Sequence, residues 1–383
     1  MSKDRLLGGG LLYTMSGSPF QGDLLMRNGK IAAVDTHIDA PDAEYIDVTG
    51  MHVLPGLIDA HCHAGLLTSG TRDKDHNENC FAICPQVRAI DSIYPFDVSF
   101  KEAVSGGVTT CLTGPGSQEL IGGTFAALKN KPANAVEDML IDPAIAMKAA
   151  LGENPVFIRD KSQAPHSRMG SAALIRQTLA NAQCYQPGPN KRDLGMEALQ
   201  PVINREIPLK IHCHRADDIM TAIRICDEFN VLYTLDHCTE GYLITDKLLA
   251  ALEKNCVGII IGPVVGFKGK HELANRIGWD LPYILYKAGI PFAIMTDFYE
   301  TPTESLINNA SFCAAYGVPD DVALKSVTKT AAKIAGLGDR IGSLAPGMDA
   351  DVALFSGDPL DVRSLCMETY IEGEPVYKRA PRE

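Results

Sequence analysis

Five of the chain's ten histidines sit at the ends of three apolar runs. Leu57-Ile58-Asp59-Ala60 runs directly into His61-Cys62-His63. Residues two apart on a strand face the same side, so both imidazoles can point at one metal ion. The pattern recurs downstream. Ile207 to Ile211 ends in His212-Cys213-His214, and Val231 to Leu235 ends in Asp236-His237. Phe292 to Met295 ends in Thr296-Asp297. Imidazoles completed by a carboxylate suit zinc and similar borderline divalent metals. Such a centre brings water into its nucleophilic form near neutral pH, so the chemistry it offers is hydrolysis.

Positioning these groups requires several strands that end on one side. Strand candidates are Val53 to Ala60, Val108 to Thr113, Ala144 to Leu151, Ile207 to Cys213, Val231 to Asp236, Val257 to Ile261 and Pro291 to Thr296. An eighth is expected between Gly123 and Ile141. Amphipathic stretches lie between several of them: Ser171 to Cys184, Asp218 to Glu228 and Thr245 to Glu253. Alternating strands and helices imply parallel strands with right-handed crossovers. A closed barrel and an open doubly wound sheet both fit that periodicity.

The two ends of the chain read differently. Leu24 to Met26 and Ile31 to Val34 flank Arg27-Asn28-Gly29-Lys30, and Asn-Gly is a strong hairpin signal. Asp351 to Phe355, Thr369 to Ile371 and Val376-Tyr377 are short strand candidates in the tail. Neither end alone has enough strands for a packed sheet, so the two are expected to combine. The segment Leu66 to Pro95 lacks periodicity, and loops of that length are usually functional or mobile.

Composition narrows the class. A chain of 383 residues with 46% hydrophobic and 21% charged residues suits a globular protein with a large barrel and a minor domain. A net charge of −12 argues against nucleic acid or anionic membrane partners, which need basic patches. The 11 cysteines are scattered, odd in number and form no CxxC pair, which fits reduced thiols in a cytoplasmic protein. No signal-type apolar region opens the chain, and no segment approaches a membrane span.

Pro55-Gly56-Leu57-Ile58-Asp59-Ala60-His61-Cys62-His63 resembles the entry motif of the amidohydrolase superfamily. Gly106-Gly107-Val108-Thr109-Thr110 resembles its second strand, and Thr330-Ala331-Ala332-Lys333 through Ala350-Asp351 its closing segment. The resemblance spans essentially the whole chain. It implies a (β/α)₈ TIM barrel over residues 56–341 and a β-sandwich built from residues 1–55 and 342–383.

The resemblance also implies roles. His61 and His63 would bind the more buried metal, and His212 and His237 would bind a second one or complete a single site. Asp297 would be both a ligand and the general base, with His237 assisting. The family places a glutamate or a carboxylated lysine at the end of strand three or four. Met147-Lys148-Ala149-Ala150-Leu151-Gly152-Glu153-Asn154-Pro155 offers both, and Glu153 before Asn-Pro ranks ahead of Lys148. His214 is either a substrate contact or a structural histidine. Relatives that deaminate, or that open the imidazolone ring, carry a glutamate three residues after the strand-five histidine; Arg215 stands there instead.

The expectation is therefore a hydrolase of C–N bonds acting on a small cyclic amide, N-acyl compound or dipeptide-like substrate. It would use one or two divalent ions, zinc by preference. A deaminase and a non-catalytic scaffold remain as alternatives, and a homo-oligomer is allowed. Loops after the strands offer His76, Arg88, Ser117, Gln118, His166, Arg168 and Lys268 as substrate contacts. Of these, His166 and Arg168 stand out, because a guanidinium can bind a carboxylate in bidentate fashion.

Overall fold

The computed structural model describes residues 3–67, 75–79, 81–158, 165–188, 192–265, 272–273 and 279–380. Its centre is an eight-stranded sheet that curls into a nearly closed barrel. The strands are β1 (Leu57–Cys62), β2 (Val108–Thr113), β3 (Ile121–Lys129), β4 (Leu140–Ala150), β5 (Leu209–Cys213), β6 (Tyr233–His237), β7 (Cys256–Ile261) and β8 (Phe292–Ile294). They lie side by side in chain order. Near-continuous burial explains their apolar runs: every residue of β1, β2, β3, β5, β6 and β8 is buried.

The eighth strand lies where it was expected, but its direction is not. β3 is antiparallel to both β2 and β4, while the remaining pairs are parallel. The cause is connection length. Residues 114–120 and 130–139 are too short to carry the helical crossover that a parallel strand requires. The barrel thus departs from a uniform (β/α)₈ pattern at this one strand. Where expected, helices do form the crossovers: Arg168–Gln183, Ala216–Phe229 and Thr245–Leu252.

The run Val53 to Ala60, expected as one strand, is two strands in different sheets. His52–Pro55 belongs to the sheet of the chain ends, and β1 begins after Gly56. Gly56 permits this switch because a Cβ there would lie 2.1 Å from the Thr109 hydroxyl oxygen.

Both chain ends do share one sheet of eight strands. His52–Pro55 pairs antiparallel with Val352–Phe355, which joins the N-terminal strands to the C-terminal ones. The Asn28-Gly29 hairpin is present, with both residues at positive φ (51° and 75°). Leu7, Leu24, Met26, Val53, Val352 and Leu354 form its apolar core.

Lys129, at the far end of the reversed β3, ties the two parts together. Its buried ammonium contacts Asp351 and lies 2.8 Å from Asp349. Lys30 and Arg340 also reach Asp349, at 2.6 and 2.7 Å. The ten cysteines described are free thiols, all buried except Cys184. Among the described residues, no helix is long and apolar enough to cross a membrane.

Candidate metal centre

The strand ends bring the predicted groups together in two clusters. His61, His63 and Asp297 form one, and His212, His214 and His237 the other. Within each, the potential ligand atoms all lie within 4.8 Å of one another. In the first cluster, Asp297 Oδ1 is 3.6 Å from His61 Nε2 and 3.4 Å from His63 Nε2. Asp297 Oδ2 reaches toward the second cluster, 3.9 Å from His237 Nε2.

His237 and Asp297 reach this space through unusual backbone. Both have positive φ, 68° and 50°. Strained residues of this kind collect at functional sites because the surrounding structure must hold them. Here they end the strict alternation of an extended strand. Asp236 and His237 therefore both serve the cavity, as do Thr296 and Asp297.

Each imidazole is oriented by its Nδ1. His63 Nδ1 donates to the Gly114 carbonyl at 2.7 Å, and His237 Nδ1 to the Gly262 carbonyl at 2.8 Å. His61 Nδ1 donates to Asp236 at 2.5 Å. A carbonyl or carboxylate can only accept, so the proton sits on Nδ1 and the Nε2 lone pair faces the cavity. That is the tautomer a metal requires. Gly114 must lack a side chain here, since a Cβ would lie 2.3 Å from the Phe125 ring. Phe125 in turn packs edge-on to His61 with centroids 5.0 Å apart.

Beneath the clusters lies a buried charged layer. Lys148 and Lys210 are register partners on β4 and β5, both fully buried. Their ammonium groups sit 5.7 and 5.6 Å from the centre of the Phe125 ring. Asp236 accepts from Lys210 at 2.9 Å and from Thr234 at 2.8 Å. Burial alone would raise its pKa, but Lys210, then the His61 hydrogen bond, hold it well below the usual carboxylate range. Burial also lowers the pKa of Lys148, to about 8.

Lys148 and Glu153 are separated clearly in space. Lys148 Nζ lies 3.4 Å from His61 Nε2. Glu153 lies past the strand end, where its carboxylate accepts the backbone N–H of Glu272 at 3.3 Å. It belongs to neither cluster. Of the two candidates, Lys148 stands beside a cluster histidine, while Glu153 lies three residues past the end of β4 at Ala150.

Arg168 also lies otherwise than anticipated. Its guanidinium contacts Glu272 and holds Asp218 at 3.0 Å, so protein carboxylates occupy its fork. His166 is exposed and in neither cluster. Arg88 forks onto Asp91. Ser117 is 2.8 Å from His212 Nδ1 and orients that ring. His76 is buried, with its ring centroid 5.3 Å from that of His63. Lys268 lies outside the described residues.

Asp59 closes the seam between the first and last strands. It accepts from Thr296 N at 3.1 Å, from the Thr296 hydroxyl and from His61 N at 3.3 Å. Burial pushes its pKa up to about 7. Backbone contacts complete the closure, Asp297 N to His61 O at 3.1 Å and His63 N to Phe298 O at 3.2 Å. Asp59, Asp236 and Lys210 were given no role from sequence. Their signal was a charge inside an otherwise apolar strand, which burial tolerates only when paired.

Known proteins match this architecture. The sequence model of the amidohydrolase family matches residues 52–376. The amidohydrolase tasK of Hapsidospora irregularis is 27% identical over 389 residues, covering 92% of this chain and 39% of its own length. The chain thus spans well under half of that relative. An imidazolonepropionase of Klebsiella pneumoniae is 25% identical over 378 residues, covering 88% of this chain and 86% of its own. Among solved structures, an amidohydrolase from Thermotoga maritima MSB8 superposes with a TM-score of 0.92 at 36% identity. It covers 98% of this chain and 100% of its own.

Proposed function

Since this chain belongs to the amidohydrolase family, a family of hydrolases, we propose that it cleaves a C–N bond of a small cyclic amide, N-acyl compound or dipeptide-like substrate. The observation that carries the reading is the pair of clusters sharing Asp297, which reaches both. The donor set fits divalent metal, zinc first: neutral imidazoles with outward-turned Nδ1 atoms and one carboxylate. His61, His63 and Asp297 would hold one ion, and His212 and His237 a second. Lys148 is the bridging candidate in this reading, as its carbamate, and Glu153 is set aside. The barrel, residues 56–341, is then the catalytic domain, and the chain ends its β-sandwich companion.

A divalent ion held there would lower the pKa of its water into the neutral range and polarise the substrate carbonyl. The protein's own work is proton transfer. Asp297 takes the proton of the attacking water at its carboxylate and returns it to the leaving nitrogen. His237, its Nδ1 held by the Gly262 carbonyl, would turn its Nε2 to the second ion, 3.9 Å from the Asp297 carboxylate that moves the proton. Asp236 keeps the His61 ring in place.

Arg215 stands at the position where deaminases of this family carry a glutamate, its guanidinium 2.8 Å from Asp217, which favours amide hydrolysis. Metal-reconstituted protein incubated with a panel of cyclic amides, N-acyl amino acids and dipeptides is expected to release carboxylate without free ammonia. Ammonia release would move the reading to a deaminase. Failure on every amide by a metal-loaded protein would overturn it.

A further inference from the structure

We propose that His214 is itself a metal ligand, so that His212, His214 and His237 form a three-histidine centre that fills without Lys148. This rests on the hydrolase reading above and adds to it a second ion held by imidazoles alone.

Three observations carry it. First, the three rings crowd one point. Centroids are 4.7 Å apart for His212 and His214, 4.3 Å for His212 and His237, and 4.2 Å for His214 and His237. One potential ligand atom from each lies within 4.8 Å of the others, and all three residues are buried.

Second, all three rings are turned the same way. Nδ1 of His212 is 2.8 Å from Ser117 Oγ, Nδ1 of His214 is 2.8 Å from Thr239 Oγ1, and Nδ1 of His237 is 2.8 Å from the Gly262 carbonyl. Outer partners of this kind hold ligating histidines in orientation. His214 has one just as the other two do, a hydroxyl as for His212, while the Gly262 carbonyl also fixes the tautomer of His237.

Third, the two strand ends that bear these rings form one unit. Cys238 N donates to Cys213 O at 2.9 Å, and Glu240 N to His214 O at 2.8 Å. The three rings are thus carried by the ends of β5 and β6, tied to one another. Three neutral imidazoles with a fourth position open are a complete zinc site for hydrolysis, with no need of the lysine on β4.

The test is metal content per chain by plasma mass spectrometry, after chelator stripping and reloading with zinc, together with the visible absorption of the cobalt(II)-loaded protein. Wild type, Lys148→Met, His214→Ala and Thr239→Val are compared. Lys148→Met is expected to keep about one ion with a tetrahedral cobalt spectrum. His214→Ala is expected to lose that ion, and Thr239→Val to bind it about 10-fold to 100-fold more weakly. Thermal melts of the stripped proteins report folding, and if His214→Ala fails to fold, Thr239→Val decides. Unchanged metal content and affinity in His214→Ala, or in Thr239→Val where it decides, would overturn the three-histidine centre and leave the hydrolase reading standing. Loss of both ions in Lys148→Met would overturn it too. A wild type that takes up no metal would sink the hydrolase reading along with it.

Discussion

His61 Nδ1 lies 2.5 Å from Asp236 Oδ2, with neither side chain accessible to solvent. The pair spans the barrel from β1 to β6. Asp236 is not a ligand candidate, yet it decides which nitrogen of His61 carries the proton. Lys210 and Thr234 fill its other positions, so the carboxylate is held from three directions.

Replacing Asp236 by Asn would strip the charge that fixes the His61 tautomer. Metal affinity at the cluster of His61, His63 and Asp297 is expected to fall about 10-fold to 100-fold. Lys210 would lose its partner in a buried site, at a cost of about 3–5 kcal/mol in stability. Chelator competition and thermal melts of the metal-free protein separate the two effects. Unchanged affinity would remove Asp236 from the orienting role.

Much of the candidate site was legible because polar side chains two apart at the end of an apolar strand are costly to bury unless they share a partner. His61, His63 and Asp297 share one cluster, and His212 and His237 lie in another. The rest depends on facts that spacing does not carry. Nothing in the run from Ile121 to Lys129 encodes its direction; only the shortness of the flanking connections does. Lys148 and Glu153 are five positions apart, and only the point where β4 leaves the barrel separates them. Arg168 read as a carboxylate clamp because sequence could not show that Asp218 and Glu272 fill its fork. The left-handed backbone at His237 and Asp297 had no glycine to announce it.

Asp297→Asn, compared with wild type at equal metal occupancy because the same carboxylate is a ligand, should leave the fold intact and remove the base. The rate constant kcat is expected to fall by about 10²–10⁴ while KM moves little, since the group acts in proton transfer. Steady-state kinetics on whichever amide the panel yields would show this. A KM effect with kcat retained would recast Asp297 as a binding residue.

Lys148 should respond to pH and bicarbonate. Its pKa of about 8, set first by burial, means that the neutral amine grows as pH rises through that value. Only the neutral amine adds carbon dioxide. Zinc reconstitution of stripped protein is therefore expected to be faster with bicarbonate, and faster at about pH 9 than at about pH 7. Lys148→Ala should abolish the bicarbonate effect and Glu153→Gln should not. The opposite pattern would return the ligand role to Glu153.

The junction between barrel and end sheet predicts a particular acid response. Burial alone would raise the Asp349 pKa, but Lys129, then Lys30 and Arg340, hold it down at about 2, against an ordinary 3.8. A depressed carboxylate pKa gives stability that is present above the unfolded value and lost as pH falls toward the folded one. About 2 kcal/mol should therefore disappear between about pH 4 and pH 2. Asp351 beside it is raised by burial despite Lys129. In Lys129→Met it loses its cation and is expected to rise further. Its sign is the reverse: the penalty applies above the folded pKa and is relieved as pH falls. The variant should thus be destabilised by about 3–5 kcal/mol at neutral pH and recover part of that on mild acidification. Wild type, in which Lys129 offsets part of the burial of Asp351, should recover less. Denaturant melts of both proteins across the acid range would reveal the steeper recovery of the variant, and parallel slopes would show that Lys129 does not govern the junction.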